Sequence, residues 1–233
     1  MDVDTNNQCI LFFAKSPIKG QVKTRLSAEI GDDQAVELYK CFVEDLIALL
    51  EGLKLHFKCC FRPPDAKQIF IKWLGQKHCY IPQTGDNLGE RLENAFRMTF
   101  EENFAKALAI GSDSPDLPAE YLELAFHALD MNDVVIGPSS DGGYYLIGFA
   151  RNSFLPEVFE QISWSGNKVF EQTVNILKQH RQSLYLLPQW HDVDTLPDLK
   201  SFLRRNENST FTKSATMSYL MEHKLGDKLN VRL

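Results

Sequence analysis

Four cationic side chains, Lys15, Lys19, Lys23 and Arg25, fall within the eleven residues Lys15-Ser16-Pro17-Ile18-Lys19-Gly20-Gln21-Val22-Lys23-Thr24-Arg25. Pro17 and Gly20 bend such a stretch, so its backbone N–H groups can turn inward and cradle a phosphate. Arg grips two phosphate oxygens at once, and Lys supplies a point charge. The letters match neither a P-loop nor a G-x-G-x-x-G dinucleotide fingerprint, so a solvated basic loop is the alternative. A second candidate is Gly111-Ser112-Asp113-Ser114-Pro115-Asp116, in which Asp113 stands just beyond an apolar run. One carboxylate with phosphate oxygens and water is the usual way Mg²⁺ or Mn²⁺ is held in phosphate chemistry. The competing reading is a turn or a helix cap, which is preferred for Asp116. A third is His191-Asp192-Val193-Asp194-Thr195. One of Asp192 and Asp194 is expected to face inward as a second cleft carboxylate, and Asp194 also stands where it can cap the next helix.

Two glycine-bearing segments add to this set. In Pro138–Tyr145 the adjacent Gly142 and Gly143 let the backbone approach a ligand closely, and Tyr144 and Tyr145 can stack on a ring. A plain hairpin uses the same letters. Gly85-Asp86-Asn87-Leu88-Gly89-Glu90-Arg91 reads either as the beginning of a helix or as a loop that meets a nucleobase.

The elements that must carry these residues follow from the period of the apolar pattern, which switches repeatedly between strand and helix. Strands are predicted at Gln8–Ala14, Lys54–Phe61, Tyr80–Gln83, Ala107–Ile110, Asp133–Gly137, Tyr144–Phe149 and Ser183–Leu187. Helices are predicted at Asp33–Leu50, Ala66–Leu74, Leu88–Phe104, Pro118–Leu129, Asn167–His180 with Ser165 as its cap, and Thr195–Arg205. Strands alternating with helices argue for an α/β fold with a largely parallel sheet covered on both faces. Ligands of such sheets bind beyond the carboxyl ends of the strands, where the basic loop, Asp113 and the Asp192–Asp194 turn all fall.

The chain has 233 residues, 44% of them hydrophobic and 24% charged, with a net charge of −6. These values describe a globular protein and argue against a broad nucleic-acid surface. The longest apolar run, Cys9 to Ala14, is far below the ~20 residues of a membrane helix. The polar, acidic N-terminus has no signal-peptide layout, and the five cysteines, without a C-x-x-C pair, read as reduced core residues. The expectation is a cytoplasmic protein with no membrane partner. It is expected to be one domain over residues 1–233, with a core at about 8–207 and a tail (208–233) that is packed, helical or an oligomer arm.

The segments FAKSPIKGQVKTRL, QTGDNLGERLENAF, IGSDSPDLP, VVIGPSSDGGYYLIGF, ISWSGNKVFEQT and HDVDTLPDL, in this order, resemble the motifs of a bacterial transferase family. It is a GT-A-fold, nucleotide-diphospho-sugar-transferase-like group whose members are described as radical-SAM/selenodomain-associated transferases or arsenosugar-type glycosyltransferases. More distantly, the chain is similar to nucleotidyltransferases acting on molybdopterin and phospholactate. The resemblance implies a three-layer, Rossmann-like α/β/α sandwich. It implies Lys15, Lys23 and Arg25 at the phosphates, with Ala14, Ser16 and Ser112 also on the nucleotide side and Gly85, Asp86, Asn87 and Gly89 near the base. Asp113 would hold Mg²⁺ or Mn²⁺ with Asp194 or Asp192, and Asp141, Gly142, Gly143 and Tyr144 would face the acceptor. Lys23, Arg25 and Asp113 are the implied catalytic groups. Two departures stand out: Ser112-Asp113-Ser114 carries one carboxylate where a D-x-D carries two, and the last turn has one residue more before its proline than D-x-D-T-P.

The activity expected is glycosyl transfer from a nucleoside-diphosphate sugar to a small acceptor. The absence of Lys or Arg between Gly137 and Gly148 favours it over nucleotidyl transfer with pyrophosphate release. Nucleotide binding without turnover is the third possibility, and a homodimer is the assembly considered.

Overall fold

The computed structural model describes residues 7–164 and 166–223. Seven strands, β1 (Gln8–Lys15), β2 (His56–Arg62), β3 (Cys79–Pro82), β4 (Lys106–Ile110), β5 (Val134–Pro138), β6 (Tyr144–Ala150) and β7 (Leu184–Leu186), form one sheet in the order β3-β2-β1-β4-β6-β5-β7. All are mutually parallel except β6, which runs antiparallel to both β4 and β5. The β5–β6 hairpin reverses the chain in five residues, closed by the Ser139 N–H on the Gly143 carbonyl at 3.1 Å. So short a connection cannot return a parallel strand, which needs a crossover. The carboxyl ends of six strands and the tip of this hairpin therefore share one edge.

The helices are α1 (Thr24–Ile30), α2 (Asp32–Leu53), α3 (Lys67–Leu74), α4 (Leu88–Glu101), α5 (Ala119–Ala128), α6 (Val169–Gln179), α7 (Leu196–Asn206) and α8 (Ala215–Glu222). Strand alternation divides the core between the two sheet faces. Ile10, Phe12 and Ala14 pack with Val36, Tyr39 and Val43 of α2, Phe70 of α3 and Leu122 of α5. Leu11 packs on the other face with Leu92, Phe96 and Phe100 of α4 and Leu177 of α6. The result is the expected three-layer α/β/α sandwich.

A third cluster lies outside the sheet. Leu38 and Phe42, on a second face of α2, meet Leu26 of α1, Val193, Leu199 and Phe202 of α7, and Met217 and Leu220 of α8. The helix α8 thus gives the tail a packed place: the Asp45 carboxylate accepts the N–H groups of Ala215 at 2.7 Å and Thr216 at 2.9 Å. This is a carboxylate at a helix N-terminus, where free N–H groups favour negative charge.

Several local expectations change. The helix α7 is capped by Thr195 and not by Asp194, through a capping box with Asp198. Lys168, with no side-chain cap, precedes α6, and the expected cap Ser165 lies outside the described residues. Cys9, Cys59 and Cys60 are buried, Cys41 is half-buried and Cys79 is exposed, all unbridged. No helix among the described residues is long and apolar enough to cross a membrane.

Asp116, read as structural, is structural. Its side chain is 4% exposed and takes Arg205 at two points, Nε to Oδ2 at 2.6 Å and Nη2 to Oδ1 at 2.8 Å. Asn206 donates to Oδ2 at 2.6 Å. Removing one partner of a buried ion pair costs about 3–5 kcal/mol, so Arg205→Ala should lower stability by that order in urea denaturation. A loss below about 1 kcal/mol would make the pair an incidental surface contact.

Candidate functional site

Parallel register brings the strand ends together. Lys15 is the register partner of Arg62 across β1–β2, and Phe12 is that of Ile110 across β1–β4. Gln83, just past β3, donates through Nε2 to the carbonyls of Cys60 at 2.8 Å and Ala14 at 3.2 Å. Beyond these ends lie two adjoining cavities. The larger, about 350 Å³, has an apolar floor that includes Phe13, Leu92, Ile110 and Ile147; Lys15, Arg62 and Arg91 supply cations, and Asp113 and Asp192 supply acids. The smaller, about 180 Å³, is lined by Lys15, Lys23, Arg25, Tyr39, Ser112, Asp113 and Asp194 among others. Lys15, Ser112 and Asp113 belong to both.

The basic loop folds back on the sheet edge as the spacing suggests, but Lys23 is not a free phosphate ligand. It precedes α1 in the left-handed backbone region, φ 48° and ψ 40°. Its side chain is 2% exposed, with Nζ 2.5 Å from Asp113 Oδ1 and 3.0 Å from Asp194 Oδ1. Arg25 reaches the other Asp194 oxygen, Nη2 to Oδ2 at 2.6 Å, with its own side chain 66% exposed. Burial works to raise the Asp113 pKa, but the Lys23 ammonium, helped by Lys15 and Arg25, holds it below the ordinary aspartate range. Tyr39 joins the two loops: its hydroxyl accepts the Lys15 N–H at 2.8 Å and lies 3.1 Å from Ser112 Oγ.

The turn after β7 delivers two carboxylates where one was expected. Residues i and i+2 of an extended chain share a face, so Asp192 and Asp194 both reach the site while Val193 points into the core. The Val193 N–H donates to the Asp113 carbonyl at 2.8 Å, which fixes the turn beside the β4 loop. Asp194 meets Lys23 and Arg25; Asp192 instead accepts the Ser114 hydroxyl at 2.6 Å.

Burial, then the nearby charge of Asp113, raises the Asp192 pKa from 3.8 to about 7, against the Ser114 hydrogen bond and the charge of Lys23. The folded protein therefore holds this proton more tightly than the unfolded chain. Its contribution to stability is complete below the unfolded value and is lost as pH rises through about 7. Asp192→Asn, which keeps an acceptor for Ser114, should match the parent's thermal stability near pH 4. At pH 8 it should exceed the parent by about 1–3 kcal/mol, allowing for partial exposure. Parallel melting curves for the two proteins across that range would remove the assignment.

The carboxylates suit a hard divalent cation. Asp113 is 45% exposed at the cleft, its charge opposes that of Asp192, and a cation near both relieves that repulsion with oxygen ligands of the preferred kind. Among the described residues no group of three His, Cys, Asp or Glu side chains is close enough to hold a metal by itself. Phosphate oxygens or water would have to complete the coordination.

Other expected residues are placed differently. Gly85, Asp86, Asn87 and Gly89 do not line either cavity. Asn87 caps α4 by accepting the Glu90 N–H at 3.0 Å. Gly89 faces the segment after β6, where a Cβ would lie 2.4 Å from the Phe159 carbonyl oxygen. From this segment Leu88 and Arg91 line the larger cavity, and Arg91 also donates to the carbonyls of Gly85 at 2.9 Å and Asp86 at 2.7 Å.

Ser16 is buried beside Arg62 and lines neither cavity. Asp141, Gly142 and Gly143 form the hairpin tip outside the cleft lining. Asp141 Oδ1 accepts from Ser139 Oγ and from the Gly143 N–H, and Gly142, at φ +91°, leaves no room for a Cβ against the Asn167 carbonyl. The tyrosine pair is split by strand alternation. Both line the larger cavity, but Tyr144 has its hydroxyl buried and its ring edge-on to Trp164, while Tyr145 packs into the core of the opposite face and donates to the Pro188 carbonyl at 3.0 Å.

The site residues that sequence reasoning missed are Tyr39, Arg62, Gln83 and Arg91. The strand-end rule applied to β2 and β3 points to Arg62 and Gln83; Arg91 closes the Gly85–Arg91 segment already considered, in which other residues were favoured, and nothing in the letters singles out Tyr39.

The fold has counterparts among solved structures. A candidate nucleotide-diphospho-sugar transferase from Desulfovibrio desulfuricans G20 superimposes with a TM-score of 0.91 at 41% identity, over 96% of each chain. A 4-diphosphocytidyl-2C-methyl-D-erythritol synthase from Anaerococcus prevotii DSM 20548 shares the fold at TM-score 0.57 and 10% identity, over 87% of this chain and 100% of its own. So does a cytidylyltransferase from Leptospira borgpetersenii at 0.52 and 13%, over 96% of each chain. A comparison with curated proteins finds no match. The family model described as an uncharacterized protein conserved in bacteria, DUF2064, matches residues 47–166. With just over half of its residues matched by that model, and with a 41%-identical relative spanning nearly all of it, the chain belongs to the DUF2064 family of nucleotide-diphospho-sugar-transferase-like proteins.

Proposed function

We propose that this chain is a transferase that takes a nucleoside-diphosphate sugar as donor and passes the glycosyl group to a small acceptor, assisted by Mg²⁺ or Mn²⁺. One observation carries the reading. The cations of the β1 loop, Lys15, Lys23 and Arg25, meet the carboxylates Asp113, Asp192 and Asp194 at a single sheet edge beside an open apolar cleft. Cations alone would suit any anion; cations facing carboxylates suit phosphate chemistry with a divalent ion. The likeness of its motifs to those of radical-SAM/selenodomain-associated and arsenosugar-type transferases supports this reading, as does its 41% identity to a candidate nucleotide-diphospho-sugar transferase.

In this reading the acceptor's hydroxyl oxygen forms a bond to the anomeric carbon as that carbon's bond to the diphosphate oxygen breaks; the nucleoside diphosphate leaves with the bonding pair, and the hydroxyl proton passes to it. Lys15 and Arg25 bind the phosphates and stabilise the charge that develops on them. Asp113, with Asp194 or Asp192 and with phosphate oxygens, would hold the cation, whose chemistry would be to neutralise the leaving diphosphate. The apolar floor of the larger cavity covers ring surface and excludes water from the transfer.

Nucleotidyl transfer is the second reading, and Arg62 and Arg91 favour it. They put cations in the cleft that the stretch from Gly137 to Gly148 lacks, and these suit a phosphate-bearing acceptor. Product analysis separates the two. With a turnover pair in hand, a nucleoside diphosphate is expected among the products; pyrophosphate released from a nucleoside triphosphate would replace the glycosyl reading with the nucleotidyl one.

A further inference from the structure

Lys23 is held where a phosphate-binding lysine has no need to be. Its ammonium lies between Asp113 and Asp194, at 2.5 and 3.0 Å, and the Phe42 ring lies 5.2 Å from it. The left-handed backbone at Lys23, uncommon for a side chain other than glycine, leaves that side chain almost wholly buried. With Arg25 on the second oxygen of Asp194, two acids face two cations, and their charges cancel. Two of the carboxylates that a divalent cation needs are thus already neutralised from within the chain.

We infer that Lys23 is the internal counter-ion of the cation site. Without a bound phosphate its ammonium competes with Mg²⁺ or Mn²⁺ for Asp113 and Asp194. An incoming nucleotide draws it off, so that nucleotide and metal are taken up together. The inference rests on the cation-assisted reading above. The smaller cavity supplies the exchange partner's place: a phosphate among Lys15, Arg25, Tyr39 and Ser112 meets Lys23 as a further cation on the same wall. Once the ammonium turns to a phosphate, Asp113 and Asp194 regain negative charge, and the metal's affinity rises. By linkage, the metal strengthens nucleotide binding by the same factor. The device would leave the acids neutralised in the resting protein and assemble the charged site only around substrate.

The test is Mn²⁺ binding, read by the paramagnetic resonance of free Mn²⁺, on the full-length parent, Lys23→Met and Lys23→Gln, without nucleotide. Gln keeps a neutral donor for Asp113 and so guards against a Met variant that does not fold; melting curves check both. The folded variants are expected to bind Mn²⁺ at least tenfold more tightly than the parent, although each has lost a cation from the nucleotide site. Equal or weaker binding by a folded variant overturns the inference. A second arm titrates ADP, CDP, GDP and UDP into the parent with Mn²⁺ or with a chelator. If Mn²⁺ strengthens nucleotide binding to the parent but the Lys23 variants gain no Mn²⁺ affinity, the counter-ion role falls and the cation-assisted transferase stands. If the parent takes Mn²⁺ neither alone nor with any nucleotide, both fall.

Discussion

Replacing Asp113 with Asn should cut turnover about a thousandfold while leaving the protein folded. The substitution keeps the shape and one acceptor oxygen, so Lys23 Nζ retains a partner in place of the present 2.5 Å contact. The backbone carbonyl still takes the Val193 N–H. What disappears is the charge that holds a hard cation against a transferring phosphate. Because the Asp113 side chain is 45% exposed, the lost charge interaction is partly screened and the melting temperature should stay near the parent's. Steady-state kinetics, melting curves and nucleotide titrations with and without Mn²⁺ make a sufficient set. A variant that keeps parental turnover, or whose nucleotide binding still gains from Mn²⁺ as the parent's does, would show that Asp113 is not the pivot of the site.

Arg25→Ala should weaken nucleoside-diphosphate binding by about 10- to 100-fold, the range for a lost charge-assisted hydrogen bond. Stability should barely move, because the ion pair with Asp194 involves a guanidinium 66% exposed, and exposed pairs contribute little. This separates Arg25 from Lys23, whose removal leaves two carboxylates without their buried ammonium and acts on fold and site together. Calorimetric titration beside a melting curve reads both quantities. Unchanged nucleotide affinity in a folded Arg25→Ala protein would make the basic loop a solvated one.

Much of the architecture is legible as pattern. Apolar runs ending in loops locate the seven strands to within two residues at each end, and the wide apolar face of α2 and the stripes on α4 and α6 mark the covering helices. The elements left out have a common cause. The helix α1 spans seven residues and buries only Leu26, too little for a 3.6-residue period to show. The helix α8 buries Thr216, Met217 and Leu220, and its place depends on a second face of α2 that no local pattern identifies. The antiparallel setting of β6 follows from the five-residue connection before it, a constraint of chain length rather than of hydrophobicity.

The types of group at the site were likewise legible: a basic loop after β1, an aspartate after β4, an acidic pair before α7. By itself the sequence determined which chemistry is carried at which strand end, because residue type and strand order are local properties of the chain. Only the tertiary structure decided which groups meet. Lys23 turned from presumptive phosphate ligand into the ammonium between Asp113 and Asp194, 90 and 171 residues away. Asp192 and Asp194 both became site residues, while Gly89, Asp141 and Gly142 went to capping and packing contacts around the cleft. Arg62, Gln83 and Arg91 entered the cleft through the register of β2 with β1 and β3 and the docking of α4. The physical reason is common to all of them. The charge state and orientation of a side chain depend on burial and on partners brought close by folding, and their separation along the chain carries no information about that closeness.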